Sequence, residues 1–303
     1  MKNFSLRNGF GIGAIILAVA TVIALPLRTV QFFTVLEGGT GFYTSYDITV
    51  YILYALLIAA TLSFIILGFI KRKKLDFTRS AEKRPIAGIF SLATAAAVFF
   101  DGLVCAYRAM DDVTPIIEYD YLGTATFNSE KMILYVQAVF AVISAMFFLS
   151  LGIVYLSGKS NGSNHKLISL APIIWCIVRM VLRFTRTISY QRVSDLTFEL
   201  VMLAFTIMFF MAFAQVNAQI GEKNCEWKLA GYGLPAALFG LVCFVPRFIV
   251  TVMGETELLY SYSTAEFCDL AVALFICSTV FTRLTDRVSV NTPASAEETS
   301  SEG

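Results

Sequence analysis

Histidine and charged side chains are both scarce in this 303-residue sequence. The one histidine, His165, leaves no second imidazole for a histidine-based metal site. Charged residues make up 15 % of the chain, whereas a soluble globular protein contains about 25 %. The net charge is only +1, so the overall charge balance leads us to expect no nucleic-acid partner.

Motifs for catalysis, metals and nucleotides are also missing. The six cysteines form no C-x-x-C pair, and most lie in apolar runs, which favours small buried side chains over a disulfide framework or a zinc site. Gly11-x-Gly13 has no preceding strand and is not a nucleotide loop. No serine, cysteine or histidine lies beside a plausible base within an apolar run. We therefore expect no enzyme, no metal and no cofactor.

Long apolar runs are what the sequence has in abundance, since 57 % of its residues are apolar. A hydrocarbon core about 30 Å thick requires about 20 helical residues, and lipid forces each span to satisfy its own backbone hydrogen bonds. The sequence predicts an all-α membrane protein with one eight-span domain over residues 1–287. The spans are about 10–32, 48–70, 86–108, 132–157, 167–189, 196–218, 229–253 and 265–282.

The N-terminal apolar run could be a signal peptide, and the C-terminal segment is polar. Ala18-Val19-Ala20 imitates a signal-peptidase site, but the apolar stretch before it, Ile12 to Leu17, is too short for a signal peptide. We therefore expect the first run to remain as an uncleaved span. Residues 288–303 are rich in Ser, Thr, Glu and Ala, which predicts a disordered cytoplasmic tail.

Basic residues are distributed unevenly between the two sides of the predicted bundle. One side carries 15 of the 23 basic residues and eight of the 22 acidic ones. This side consists of the 71–84 loop, both termini and the 158–166 and 219–228 connections. The positive-inside rule places this side, with both termini, in the cytoplasm. The 109–130 loop is then external, and the protein is predicted to lie in the cell membrane.

Two helical hairpins in the second half of the chain resemble each other. Residues 178–184 read VRMVLRF and 242–248 read VCFVPRF, while 199–205 read ELVMLAF and 269–275 read DLAVALF. Successive hairpins enter the membrane in the same direction, so copies of this kind are parallel repeats about an axis along the membrane normal.

The first half of the chain echoes this pattern more weakly. Arg28 ends the first span and Asp47 opens the second, as Arg108 and Glu130 do for the third and fourth. We therefore predict eight transmembrane helices arranged as four parallel-repeat helical hairpins.

Charged residues inside the spans are the main candidates for function. One such charge costs about 2.5–3.5 kcal/mol on insertion scales, so these side chains should face protein or water. At about 1.5 Å per residue, Arg179 lies about 18 Å and Asp101 about 22 Å above the inner boundary. Arg179, Arg183 and Arg186 share one helix face. The candidate ligand-binding residues are Arg28, Arg179, Arg183, Arg247, Asp101, Glu199 and Asp269.

Two interpretations of these charges remain open. In the first, Arg179 pairs with Asp101, and Arg183 and Arg247 pair with Glu199 and Asp269, which would suit a membrane sensor or assembly module. In the second, six helix-borne arginines outnumber three buried acids, and the excess lines an outward-facing cavity for a small anion. The second is our leading hypothesis: a carrier or channel-like protein whose partners are the lipid bilayer and a small anion. Neither fixes an oligomeric state.

One stretch near the first two spans carries a family resemblance. The residues are Leu27-Arg28-Thr29-Val30-Gln31-Phe32-Phe33, followed by Gly39-Thr40-Gly41-Phe42-Tyr43. They resemble those of uncharacterised multi-pass membrane proteins of anaerobic Gram-positive bacteria. The resemblance covers the first two spans and implies a membrane location without implying an activity.

Overall fold

The structure is dominated by helices that follow one another along the chain. The computed structural model describes residues 4–37, 43–45, 47–70, 83–111, 117–119, 125–158, 168–186, 193–218, 227–255, 258–259 and 266–290. The α-helices are α1 (Phe4–Thr34), α2 (Ile48–Ile70), α3 (Pro85–Asp111), α4 (Ser129–Ser157), α5 (Ala171–Arg186), α6 (Val193–Ala218), α7 (Trp227–Val252) and α8 (Phe267–Val290).

Seven of these helices are long and apolar enough to cross a membrane. In α8 the apolar segment Phe267–Thr282 has 16 residues, or about 24 Å of helix, which is less than a hydrocarbon core of about 30 Å. The prediction of a multi-pass, helical integral membrane protein is therefore confirmed. The exact number of eight spans stays a prediction.

The helix bounds differ from the predicted spans most at α1, α5 and α8, and α1 begins six residues earlier than predicted. The α5 helix begins at Ala171, four residues later than predicted, with Pro172 in its first turn, where a missing backbone N–H breaks no helical bond. A 3-10 turn, Ile168–Leu170, precedes it. The α8 helix continues to Val290, three residues into the predicted tail, and residues 291–303 lie outside the described residues.

The connection between α3 and α4 contains a small element that the sequence analysis did not predict. Strands β1 (Ile117–Tyr119) and β2 (Ala125–Phe127) pair antiparallel, with Glu118 opposite Thr126. Most of the basic 71–84 loop, residues 71–82, lies outside the described residues.

Helix α7 is the centre of the bundle and packs against α1, α2, α6 and α8. Small residues in α7 allow neighbouring helices to approach it closely. A Cβ atom added at Gly240 would lie 3.0 Å from the Cβ of Ala273 in α8. The added Cβ of Gly68 in α2 would lie 3.3 Å from the Cα of Gly231 in α7. Such close backbone approach is how helices associate in lipid, where apolar burial alone gives little driving force.

Phenylalanine fills the space where α4, α6 and α8 meet. The ring of Phe148 lies 5.2 Å from that of Phe275 and 5.7 Å from that of Phe210, both in tilted, edge-on arrangements. All three side chains are buried. This packing accounts for part of the unusually high phenylalanine content and fixes the relative rotation of the three helices.

The two helices of every predicted hairpin pack against each other. The α3–α4 pair is the tightest in geometry, because a Cβ atom at Gly102 would lie 2.9 Å from the Cβ of Ala141. The Ser91 hydroxyl of α3 also donates to the Phe148 carbonyl of α4 at 2.7 Å. These contacts support hairpins as the units of the fold. Whether the hairpins are parallel repeats stays a prediction.

Candidate functional site

The buried charges gather at one end of the bundle. They lie toward the C-terminal ends of α1, α3, α5 and α7 and at the N-terminal ends of α6 and α8. The 109–130 connection leaves α3 at this end, which is the side predicted to be external. The arginines that ion pairs bring together here are Arg28, Arg179, Arg183 and Arg247.

Arg28 of α1 begins the network and is only 1 % exposed. Its guanidinium forms an ion pair with Asp195 in the first turn of α6. It also donates to the Gln31 side-chain oxygen at 3.0 Å and to the Tyr43 hydroxyl at 3.1 Å. The Phe198 ring lies 5.0 Å from the guanidinium carbon. Polar partners and an aromatic face together replace the water that burial removes.

Arg247 and Glu199 form the middle of the network. Arg247 of α7 lies 3.6 Å from the second Asp195 oxygen and also pairs with one oxygen of Glu199 in α6. The other Glu199 oxygen lies 2.9 Å from Nε of Arg183 in α5. One carboxylate therefore joins α5 and α7, the two helices that carry the similar VRMVLRF and VCFVPRF segments.

Glu266, which directly precedes α8, continues the network. One of its oxygens pairs with Arg183 and the other with Arg179. Arg179 in turn donates to Asp269 of α8 at 2.8 Å, and its guanidinium lies 4.9 Å from the centre of the Trp175 ring. Asp269 is the last member of the network among the described residues.

We call this network the ion-pair chain, because four arginines and four carboxylates alternate along it. Its order is Arg28, Asp195, Arg247, Glu199, Arg183, Glu266, Arg179 and Asp269. Charge-assisted bonds of this kind offset the desolvation of each ion, but only while every member keeps its partners.

The partners predicted from the sequence are right for one pair and wrong for two. The Arg183–Glu199 pair is confirmed. Arg179 pairs with Asp269 and Glu266 instead of Asp101, and Arg247 pairs with Glu199 and Asp195 instead of Asp269. Sequence spacing gives the depth of a charge but not the rotation of its helix, and rotation selects the partner.

Asp195 and Glu266 are site residues that the sequence analysis missed. Both lie at or just before the start of a helix, so a count restricted to acids deep within the spans omitted them. With them, the four arginines of this group meet four acids. The predicted excess also counted Arg108 and Arg186, and it stays a prediction. The i, i+4 spacing of Asp195 and Glu199, which puts both on one helix face, was the available signal.

A cavity of about 310 Å³ adjoins the end of the ion-pair chain, between α3, α4, α5 and the start of α8. This volume is at the lower end of the range for small-molecule pockets. Its polar lining consists of Asp101, Arg108, Gln137, Arg179, Arg183 and Glu266. The predicted residues Asp101, Arg179 and Arg183 therefore reach the cavity. The other four, Arg28, Arg247, Glu199 and Asp269, belong to the ion-pair chain alone.

Three side chains in the cavity wall each lack an ion-pair partner or one hydrogen-bond partner among the described residues. Asp101 accepts hydrogen bonds through one oxygen, from Gln137 at 3.2 Å and Trp175 at 3.3 Å, and forms no ion pair within the described residues. Gln137 is 3 % exposed, and its side-chain oxygen has no donor among them. Arg108 likewise forms no ion pair with any described part of the chain.

One group of side chains has the composition of a metal site. The ligand atoms of Asp101, Glu266 and Cys268 lie within 4.8 Å of one another. However, both Glu266 oxygens already bind arginines, which would have to move to admit a metal ion.

The described cysteines and Arg186 are the other predicted features of this part of the molecule. The five described cysteines are free and four of them are buried, as the sequence indicated. The Arg186 side chain lies outside the described residues. Comparison of this chain with family models, with curated proteins and with solved structures found no match.

Proposed function

We propose that this integral membrane protein is a small-molecule carrier or channel-like protein that binds the anionic group of its ligand in the cavity. The observation that carries the proposal is Arg108, an arginine in the cavity wall without an ion-pair partner among the described residues. Arginine keeps its charge when it is desolvated, because its pKa is far above neutrality. A carboxylate or phosphate that enters the cavity would supply the missing counter-charge, and the guanidinium fork suits either group.

The ion-pair chain supports the proposal by holding one wall of the cavity in place. Arg179 and Arg183 both reach the cavity while Glu266 and their other acids fix their positions. A site whose side chains are already ordered loses little entropy when a ligand binds. This wall and Arg108, which has no ion-pair partner in the described part of the chain, together resemble a pre-organised binding site.

Thermal stability of the detergent-purified protein tests the binding step. Acetate, benzoate, inorganic phosphate and chloride would each be titrated at constant ionic strength. A ligand of the folded state raises the melting temperature in a saturable way that follows RT ln(1 + [L]/Kd). We expect at least one anion to do so, and Arg108→Gln to remove the gain.

Lys228→Gln is the matched control, because it also removes one positive charge but lies in the first turn of α7, at the opposite end of that helix from Arg247. It should keep the full response. If no anion stabilises the wild type beyond the ionic-strength control, the anion site does not exist. Uptake of the stabilising anion into proteoliposomes then separates a carrier or channel from a protein that only binds.

The complete pairing of the ion-pair chain favours a second candidate function. A membrane sensor or assembly module needs buried charges only to fix its helices, and eight alternating charges would do so without a ligand. This candidate predicts that no anion in the panel raises the melting temperature and that none crosses the proteoliposome membrane. Substitutions in the chain would then change stability alone.

A further inference from the structure

Two charges of opposite sign that have no ion-pair partner among the described residues lie on the same face of α3. Asp101 and Arg108 are seven residues apart, which is close to two helical turns and about 10.5 Å along the axis. Both line the cavity, and neither has an ion-pair partner within the described part of the chain. A charge of either sign without a partner is costly in a membrane-spanning bundle. The cavity wall therefore presents one negative and one positive site, not arginines alone.

Gln137 of α4 indicates that the negative end of the cavity accepts hydrogen bonds from a ligand. Its amide nitrogen donates to Asp101, which leaves its buried oxygen without a donor among the described residues. The second Asp101 oxygen has no hydrogen-bond partner among them either. The free Asp101 oxygen is charged, so it matches a group that is both cationic and rich in N–H bonds, and the Gln137 oxygen is a second acceptor on a neighbouring side chain. An ammonium group carries three such donors and no acceptor.

A metal ion or an extra proton fits these groups less well. A metal ion would take Asp101 together with Glu266 and Cys268, and Glu266 is already held by two arginines. A proton on Asp101 would remove its charge but leave Arg108 without a counter-ion. A ligand with both an ammonium and a carboxylate group satisfies both ends at once.

We infer that the cavity binds a small zwitterion, with its ammonium group at Asp101 and Gln137 and its carboxylate at Arg108. This inference rests on the proposed function, because it takes the anionic half of the ligand to be the group that Arg108 binds. The remaining lining is apolar and includes Phe100, Leu134 and Leu182. An apolar substituent on the ligand would pack there, so the substrate class is a small amino acid with an aliphatic or aromatic side chain.

Matched probes separate the two halves of the ligand on the wild-type protein. Leucine would be compared with 4-methylpentanoate, which lacks the ammonium group, and with 3-methylbutylamine, which lacks the carboxylate. Phenylalanine would be compared with 3-phenylpropanoate and 2-phenylethylamine. Affinities would be measured by isothermal titration of the full-length protein in detergent. We expect at least one amino acid to bind tenfold or more tightly than either of its halves.

Each other outcome decides a different part of the proposal. If the carboxylates bind as tightly as the amino acids, the inference is overturned and the anion site stands. If the amines bind as tightly as the amino acids and the carboxylates do not bind, the zwitterion and the anion site both fail, and a cation site remains. If no probe binds, the inference is overturned, and the anion panel described above decides the proposed function separately. Saturable binding of Zn²⁺ alone that Asp101→Asn removes, together with no binding of any amino acid, would assign these acids to a metal and would also overturn the inference.

Variants then assign the two ends to named residues. Asp101→Asn should lower the affinity for the amino acid to that of its carboxylate analogue, without changing the affinity for the analogue. Arg108→Gln should lower the affinity for the amino acid to the affinity for its amine analogue. Asp111→Asn, an exposed position on the last turn of α3, is the matched control and should bind like the wild type.

A ligand-side comparison keeps the test valid if Asp101→Asn does not fold. N,N,N-Trimethyl-leucine retains the positive charge but has no N–H donors for Gln137 and Asp101. Its affinity for the wild type should be at least tenfold below that of leucine. Equal binding of the two would exclude the hydrogen-bonded ammonium site.

Discussion

Glu199 is the residue on which the ion-pair chain depends most. It accepts from Arg183 through one oxygen and from Arg247 through the other, so it is the only described carboxylate that joins α5, α6 and α7. Arginine cannot lose its proton to escape burial, whereas a buried lysine can. Removal of this one charge would therefore leave two guanidinium groups short of a counter-charge in the bundle interior.

Glu199→Gln is expected to lower the free energy of unfolding by about 3–5 kcal/mol, the cost of breaking a buried ion pair from one side. Reversible unfolding of the purified protein in mixed micelles measures it. Glu255→Gln makes the same chemical change at an exposed position after α7 and should have little effect. Equal losses for the two variants would show that the Glu199 pairs do not contribute to stability.

A double-mutant cycle distinguishes the partner of Arg179 found in the structure from the partner predicted by the sequence. Arg179 donates to Asp269 at 2.8 Å, whereas Asp101 bonds to Gln137 and Trp175. The cycle of Arg179→Gln with Asp269→Asn should give a coupling energy of about 0.5–3 kcal/mol. The cycle with Asp101→Asn should give a smaller one. A larger coupling to Asp101 would support the pair predicted from the sequence.

At the residue scale, the sequence predicted which charges are buried but not how they combine. Arg28, Arg179 and Arg247 are buried because they interrupt apolar runs, and that interruption is visible in the sequence. The partners are set by packing between helices distant in the chain, as with Arg28 and Asp195. No spacing rule within one helix contains that information.

At the scale of elements, the contact between α3 and α4 positions the cavity, because Asp101 and Gln137 lie on these two helices. Gly102→Ala would place a methyl group 2.9 Å from the Cβ of Ala141 and 3.3 Å from the Ala138 carbonyl oxygen. Backbone must shift to relieve this contact, which typically costs about 1–3 kcal/mol. Thermal unfolding should report the loss.

Gly11→Ala provides the control for that substitution. No atom lies within 4 Å of the position that its Cβ would occupy, so the same change should leave stability unaltered or raise it slightly. If Gly102→Ala is as stable as Gly11→Ala, the two helices are not in the close contact described here.

The helices themselves were largely predictable, because long apolar runs leave a chain in lipid few alternatives. The predicted and observed bounds of α2, 48–70, are the same. The β1–β2 hairpin was not predicted, since it lies in a polar connection where the apolar signal is absent. The start of α5 was placed too early because the apolar run begins before Ala171, although Ile168–Leu170 form a 3-10 turn. The cavity could not be predicted either, because it lies between four elements and belongs to none of them.

At the scale of the whole molecule, the two ends of the bundle have different chemistry. The cavity and the ion-pair chain lie where α3 and α7 end and α4 and α8 begin. Fifteen of the 23 basic residues belong to the opposite side by sequence. Such an asymmetry orients a multi-pass protein during insertion, because basic loops are retained in the cytoplasm. The cavity is therefore expected to face outward, which is the orientation that a carrier needs to take a ligand from outside the cell.

Cysteine labelling in intact cells tests this orientation. All six native cysteines would be replaced, and a single cysteine would be introduced at Asp76 in the basic 71–84 loop or at Glu118 in the 109–130 loop. A membrane-impermeant maleimide should label position 118 in intact cells and position 76 only after the cells are permeabilised. The unmodified cysteine-free protein is the background control. Labelling of position 76 but not 118 in intact cells would reverse the topology and turn the cavity toward the cytoplasm. The ligand would then be a cytoplasmic one, and any transport would run by export.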